Sequence, residues 1–185
     1  MNKYGIIIMT EYLDPATSRV DFKGNDMTAC IGVNTIDQAE AAVRQLVSEG
    51  YTAFNLCSAF DQAMTERLAK AAGPGISFSY VTFTGDEQRK MSQARINGGK
   101  LGMVILDEGA GQIQSLEFEG ALHCSFRFVD SLAMASRAAR ELLIEGATFI
   151  ETCSWFDDEK TRALISTLAS DTVPVGTAGR NLICL

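Results

Sequence analysis

One segment of this chain occurs twice. Residues 50–61 read Gly-Tyr-Thr-Ala-Phe-Asn-Leu-Cys-Ser-Ala-Phe-Asp, and residues 146–157, 96 positions on, read Gly-Ala-Thr-Phe-Ile-Glu-Thr-Cys-Ser-Trp-Phe-Asp. In each, the chain leaves a Gly, passes through a short apolar run and enters Cys-Ser-x-Phe-Asp. That is the pattern of a buried strand feeding the first turn of a helix. From Val33 to Leu68, 14 of 36 residue pairs are identical at that offset, Arg44 with Arg140, Cys57 with Cys153 and Asp61 with Asp157 among them. The chain reads as a tandem duplication, so whatever this segment builds is built twice.

The surrounding periodicities define the unit. Gly5-Ile-Ile-Ile-Met9 and Gly102-Met-Val-Ile-Leu106 are continuous apolar runs suited to strands covered on both faces, and Met27–Val33 and Leu122–Val129 are second strands. Arg19-Val-Asp-Phe22, set among Pro and Gly punctuation, reads equally as an excursion or a short edge strand. Ile36, Ala39, Val43, Leu46 and Val47 form a helical stripe that Leu132, Ala135, Ala139, Leu142 and Leu143 repeat. Asn34-Thr35 and Asp130-Ser131 supply hydroxyl N-caps, and Gly50 and Gly146 the left-handed residue that closes each helix. After the repeated strand come a shorter helix and a last strand, Ile76–Phe83 in one unit and the Pro-interrupted Val173-Pro-Val175 in the other.

Strand, strand, helix, strand, helix, strand with short loops implies parallel pairing through right-handed crossovers. The expected fold is therefore α/β: two repeats of that unit with mainly parallel sheets, related by a pseudo-two-fold. They occupy residues 1–83 and 101–185, joined by a charged linker or surface helix at 84–100. A four-stranded unit with two helices has little core of its own, and a fused partner supplies the missing cover.

Charge and cysteine usage narrow the function. A formal charge of −7 and a pI near 4.7, with no cluster of Lys and Arg, argue against nucleic acid or an anionic membrane as partner. The five cysteines, at 30, 57, 124, 153 and 184, are odd in number, widely spaced and without a CxxC pair. They fit reduced thiols in the cytoplasm rather than a disulfide framework or a zinc site. No signal sequence, membrane span or cofactor motif is expected, and Asp107, Glu108 and Asp130 read as solvated loop acids rather than magnesium ligands.

Glu145-Gly146, Ile150-Glu151-Thr152-Cys153 with Phe156, and Pro174-Val175-Gly176 together resemble a family of small single-unit α/β proteins of unknown function. Its pattern is a Glu-Gly helix end, a strand close to Ile-Glu-Leu-Cys-Gly-Gly-Phe, a helix and a Pro-Val-Gly strand. The first copy departs from it at Asn55 and lacks the Pro-Val-Gly, and Ser-Ala and Ser-Trp stand in place of Gly-Gly. The resemblance implies a fold and a repeated Cys-containing loop, and no activity.

In parallel α/β sheets ligands bind beyond the carboxyl ends of strands, beside the unsatisfied N–H groups of helix N-termini. Ser58, Ser154, Asn55, Asn34, Asp130 and Trp155 fall at or near that edge and form the expected ligand site. Cys153, Cys57 and Glu151 are the candidate catalytic groups. A helix start lowers a thiol's pKa, and Glu151 shares a strand face with Cys153 two residues on. Plainer roles compete: Ser58-x-x-Asp61 and Ser154-x-x-Asp157 have capping-box spacing, and Cys is a small core residue.

Three functions fit. One is a binding module for a small polar or anionic metabolite, the preferred expectation. Another is an enzyme that resembles the cofactor-independent Asp/Glu racemase superfamily, with Cys57 and Cys153 exchanging an α-proton from opposite faces of a substrate. The third is a structural protein in which duplication fuses what single units achieve as a homo-oligomer.

Overall fold

The computed structural model describes residues 2–23, 27–96, 99–107, 114–119 and 121–184. Its elements are β1 (Lys3–Met9), β2 (Arg19–Lys23), β3 (Met27–Val33), α1 (Ile36–Ser48), β4 (Ala53–Leu56), α2 (Gln62–Ala72), β5 (Ser77–Tyr80) and α3 (Asp86–Ile96). They continue as β6 (Lys100–Leu106), β7 (Gln114–Glu119), β8 (His123–Val129), α4 (Leu132–Ile144), β9 (Phe149–Thr152), α5 (Asp158–Leu168), β10 (Val175–Thr177) and β11 (Leu182–Cys184). No described helix is long and apolar enough to cross a membrane.

The strands form two sheets, in the orders β11-β5-β4-β1-β3-β2 and β10-β9-β6-β8-β7. The centre of each is parallel, with β3, β1, β4 and β5 in one and β8, β6, β9 and β10 in the other. Most pairs are parallel as expected, but the edges make both sheets mixed, of six and five strands rather than four, because β2 runs antiparallel to β3, β7 to β8 and β11 to β5. Only three residues separate Lys23 from Met27, and three separate Glu119 from His123, far fewer than a parallel crossover needs. The segment containing Arg19–Phe22 is thus an edge strand. The long strand expected at Ile76–Phe83 is cut to Ser77–Tyr80, and Thr82 bridges instead to Thr177 at the end of β10.

Helices α1 and α2 cover one face of the first sheet, and α4 and α5 one face of the second. Their buried stripes are those the periodicity marks, Ala39, Val43 and Leu46 in α1 and Ala135, Ala139 and Leu142 in α4. A Cβ at Gly5 would lie 2.5 Å from the Phe54 ring and 3.2 Å from Leu46, so a glycine here lets α1 close onto β1. Alternation sends Ile6 and Ile8 of β1, and Met103 and Ile105 of β6, to the opposite faces. These four are at most 3% exposed because the two sheets pack against each other there. Phe22 of β2 stacks on Phe128 of β8 with ring centroids 4.3 Å apart. The architecture is helix, sheet, sheet, helix.

The two sheets also exchange segments. Helix α3, which follows the strands of the first sheet, clamps the edge of the second: Glu87 accepts the Val175 N–H at 2.7 Å and Lys90 Nζ at 2.9 Å, while Lys90 also donates to the Ser170 carbonyl. Strand β11, which follows those of the second sheet, returns to pair with β5 of the first. Between them Val81 and Phe83 lie against Gly176, where a Cβ would fall within 2.7 Å of Val81 Cγ1.

The helix ends are as the sequence indicates, with Thr35 and Ser131 as N-caps and Gly50 and Gly146 at φ +89° and +90°. The residues just before these glycines have a role that local pattern does not signal. Arg19 of β2 grips the Glu49 carboxylate with N···O distances of 2.9 and 2.6 Å, and Arg127 of β8 grips Glu145 at 2.6 and 2.5 Å, pinning each helix end to its sheet. Hydrogen bonding to Arg19 pushes the Glu49 carboxyl down from 4.5 to about 2. A carboxyl with a depressed folded-state pKa stabilises the fold above its unfolded pKa, and that contribution fades as pH falls through the folded value. Wild type should exceed Glu49→Gln in urea midpoint at pH 7 by the equivalent of at most about 1 kcal/mol, since the pair is partly solvated. The difference should vanish between pH 4.5 and about 2.

Candidate functional site

Each repeated segment ends its strand and turns before its helix begins. Phe60 N–H donates to Cys57 O, and Phe156 N–H to Cys153 O, both at 3.1 Å. The N-caps are Asp61 and Asp157, whose carboxylates accept the Met64 and Lys160 N–H groups at 2.8 and 2.9 Å. This corrects the capping-box reading: the aspartates open the helices, and Ser58 and Ser154 stand three residues earlier, outside them.

The Ser58 and Ser154 N–H groups are turned across to the other sheet. Ser58 N–H donates to both oxygens of Glu151 at 3.2 Å, and Ser154 N–H donates to Asn55 Oδ1 at 2.8 Å. Glu151 of β9 and Asn55 of β4 occupy the same place in the repeated segment, so each strand caps the loop at the end of the other. Ser79 Oγ donates to Asn55 Oδ1 at 3.0 Å and fixes that amide, and Asn55 and Glu151 are 8% and 1% exposed. The N–H groups expected to receive an anionic ligand are already bonded to an amide oxygen and a carboxylate of the protein.

Among the described residues, clefts lie between the sheets at both strand-end junctions. One, of about 350 Å³, sets the carboxyl ends of β6 and β9, with Asp107, Cys153, Ser154 and Trp155, over Tyr4, Thr28 and Asn55 of the first sheet. The other, of about 410 Å³, sets Thr10, Cys57, Ser58 and Ala59 at the carboxyl ends of β1 and β4 over Leu101, Phe149 and Glu151. The carboxyl end of one sheet therefore faces the opposite part of its partner, and the repeated loops lie in different clefts.

Strand alternation suggested that Glu151 accompanies Cys153. Because Glu151 reaches across to Ser58, it lines the Cys57 cleft, and Asn55 lines the Cys153 cleft. Asn34 is exposed, its N–H donating to Gln38 Oε1, and Asp130 is partly exposed; neither lines these clefts. Asp107, the first polar residue after the apolar run of β6, is buried along the Cys153 cleft rather than being a solvated loop acid, and it is not among the ligand-site residues the sequence leads one to expect. Glu108, weighed beside it as a metal ligand, lies outside the described residues.

The thiols are sheltered. Cys153 is 7% exposed and its Sγ accepts the Leu106 N–H at 3.3 Å; Cys57 Sγ accepts the Met9 N–H at 3.4 Å. Burial pushes the Cys153 thiol up, outweighing the N–H groups of Leu106 and Trp155 that favour thiolate. Helix activation is weak here because α5 begins only at Asp158. Burial likewise raises Cys30 and Cys124. Among the described residues no group of three or more His, Cys, Asp or Glu is placed to hold a metal ion.

Fold and site together define an α/β protein of two interlocked sheets with a cleft at each strand-end junction. Over residues 2–95, about half its length, the chain matches the family described as "Family of unknown function (DUF6506)", and it belongs to that family. No curated protein and no solved structure matches it.

Two outcomes follow. Glu151→Ala removes a buried carboxylate acceptor from the half-buried Ser58 N–H and should cost about 1–3 kcal/mol in urea unfolding. Glu151→Gln should cost less, because its amide oxygen can serve Ser58 as that of Asn55 serves Ser154. In native protein, a thiol reagent should label Cys184, the exposed cysteine, in a fast phase that Cys184→Ser removes, with the four buried cysteines reacting far more slowly until denaturant is added.

Proposed function

We propose that the chain is a binding protein for a small polar molecule held in the cleft of Asn55, Asp107, Cys153 and Trp155. One observation carries the reading: both sheets contribute buried polar side chains to this cleft, Thr28 (3% exposed), Asn55 (8%) and Asp107 (5%), between walls that include Ile6, Ile105 and an indole. Apolar walls with a few fixed polar groups are how pockets hold and orient small ligands. Engagement of the Ser58 and Ser154 N–H groups moves the weight from anionic to other polar ligands. It also weakens the paired-thiol reading, since Cys57 and Cys153 line different clefts and burial disfavours the Cys153 thiolate.

We also read the two halves as copies of one unit, residues 1–83 and 101–185, fused through 84–100 about a pseudo-two-fold. Support comes from the shared order of their first five strands, the reciprocal caps at Ser58 and Ser154, and a family match confined to the first half. On that reading the clefts have diverged: Thr10 stands for Asp107, Ala59 for Trp155 and Glu151 for Asn55. A purely structural role accounts for the exchanged segments but leaves the Asp107 cleft without a purpose.

Trp155 is the sole tryptophan, so emission excited selectively at the indole reports on this cleft. Titration with amines, polyols, amino acids and organic acids should give a saturable emission change with at least one class. The same compounds should raise the melting temperature with concentration, as mass action requires. A panel in which no class moves either signal rejects the reading.

A further inference from the structure

Resting on the Asp107 cleft being a binding site, we propose that its ligand is a small organic cation, a primary or quaternary ammonium compound. Among the described residues that line the cleft, Asp107 is the only Asp, Glu, Lys, Arg or His. It is 5% exposed and anchored at the end of β6, where its N–H donates to Val129 O at 2.7 Å. In so sheltered a place a carboxylate acts on an entering ligand through a low effective dielectric, so the sign of the ligand's charge matters far more than at a surface.

The aromatic lining has the same preference. Trp155 and Tyr4 border the cleft, and aromatic faces attract ammonium groups, indole most strongly. Trp155 already shows this chemistry, with Lys160 Nζ 4.9 Å from its ring centroid. That lysine is paired with Asp157 and lies outside the cleft lining, so it does not offset Asp107.

The other cleft shows what is particular here. Its acid, Glu151, accepts the backbone N–H of Ser58 and so serves the joint between the sheets. In the Asp107 cleft the neutral Asn55 performs that duty for Ser154, and the acid stands where the other cleft has Thr10. Latch and charge, combined in one residue there, are separate residues here. An anion would meet Asp107 unfavourably, and a neutral polyol would gain little from it. A volume of about 350 Å³ is near the small end for ligand pockets and fits a compact ammonium compound rather than a peptide.

The test compares probes that differ in charge but hardly in shape, read by Trp155 emission and by calorimetry on the full chain. Choline is set against 3,3-dimethylbutan-1-ol, and butylammonium against butan-1-ol and butyrate. At least one cation should bind roughly tenfold or more tightly than its uncharged isostere, and Asp107→Asn should lose that same factor while leaving the isostere's affinity unchanged. Should Asp107→Asn fail to fold, the isostere comparison on wild type decides alone. Equal binding of cation and isostere, or binding of butyrate only, overturns the cation while leaving a binding cleft. Silence from every probe class, including those of the broader panel, removes both.

Discussion

Each sheet of this protein has two apolar faces and helices for only one of them. Ile6, Ile7 and Ile8 are consecutive in β1 and all are at most 1% exposed, which requires cover on both sides of a single strand. Alpha helices supply one cover, and the other sheet supplies the second. At the customary value of roughly 25 cal/mol per Å² of apolar surface, a sheet face left in water forfeits more than a small domain's entire net stability. Neither half is therefore complete by itself. The exchanged segments, the reciprocal caps and the clefts are all consequences of that joint.

Because the sheets meet with the carboxyl end of one over the opposite part of the other, each repeated loop falls beside a strand of its partner rather than beside its twin. The Ser58 and Ser154 N–H groups, left over by helices that start late, find their acceptors there. The same geometry keeps the two conspicuous cysteines in different compartments. On the binding reading proposed above, the weight falls on the residues in which the two clefts differ rather than on the repeated thiols.

What the sequence discloses is mostly local. Both long helices, their hydroxyl N-caps and their closing glycines follow from patterns within about fifteen residues, as does the parallel centre of each sheet. The antiparallel edges are harder, since Arg19–Lys23 is a strand only because β3 offers it a free side. Ser58-x-x-Asp61 and a plain Asp N-cap are written with the same letters, and where the chain turns decides between them. The contacts that define the site, Ser58 with Glu151 and Ser154 with Asn55, join residues 93 and 99 apart and depend on how two finished sheets dock, which no periodicity encodes.

The return of β11 to the first sheet bears on how the protein is made. Residues 182–184 follow every other element in sequence, yet they complete a sheet whose remaining strands are all contained in the first 80 residues. While the chain is being synthesised, the outer side of β5 stays an open row of hydrogen-bonding groups, the kind of edge that recruits stray strands. Strand β11, translated long after β5, closes that open side, so the nascent first half carries an adhesive margin that stays uncovered until Leu182–Cys184 arrives.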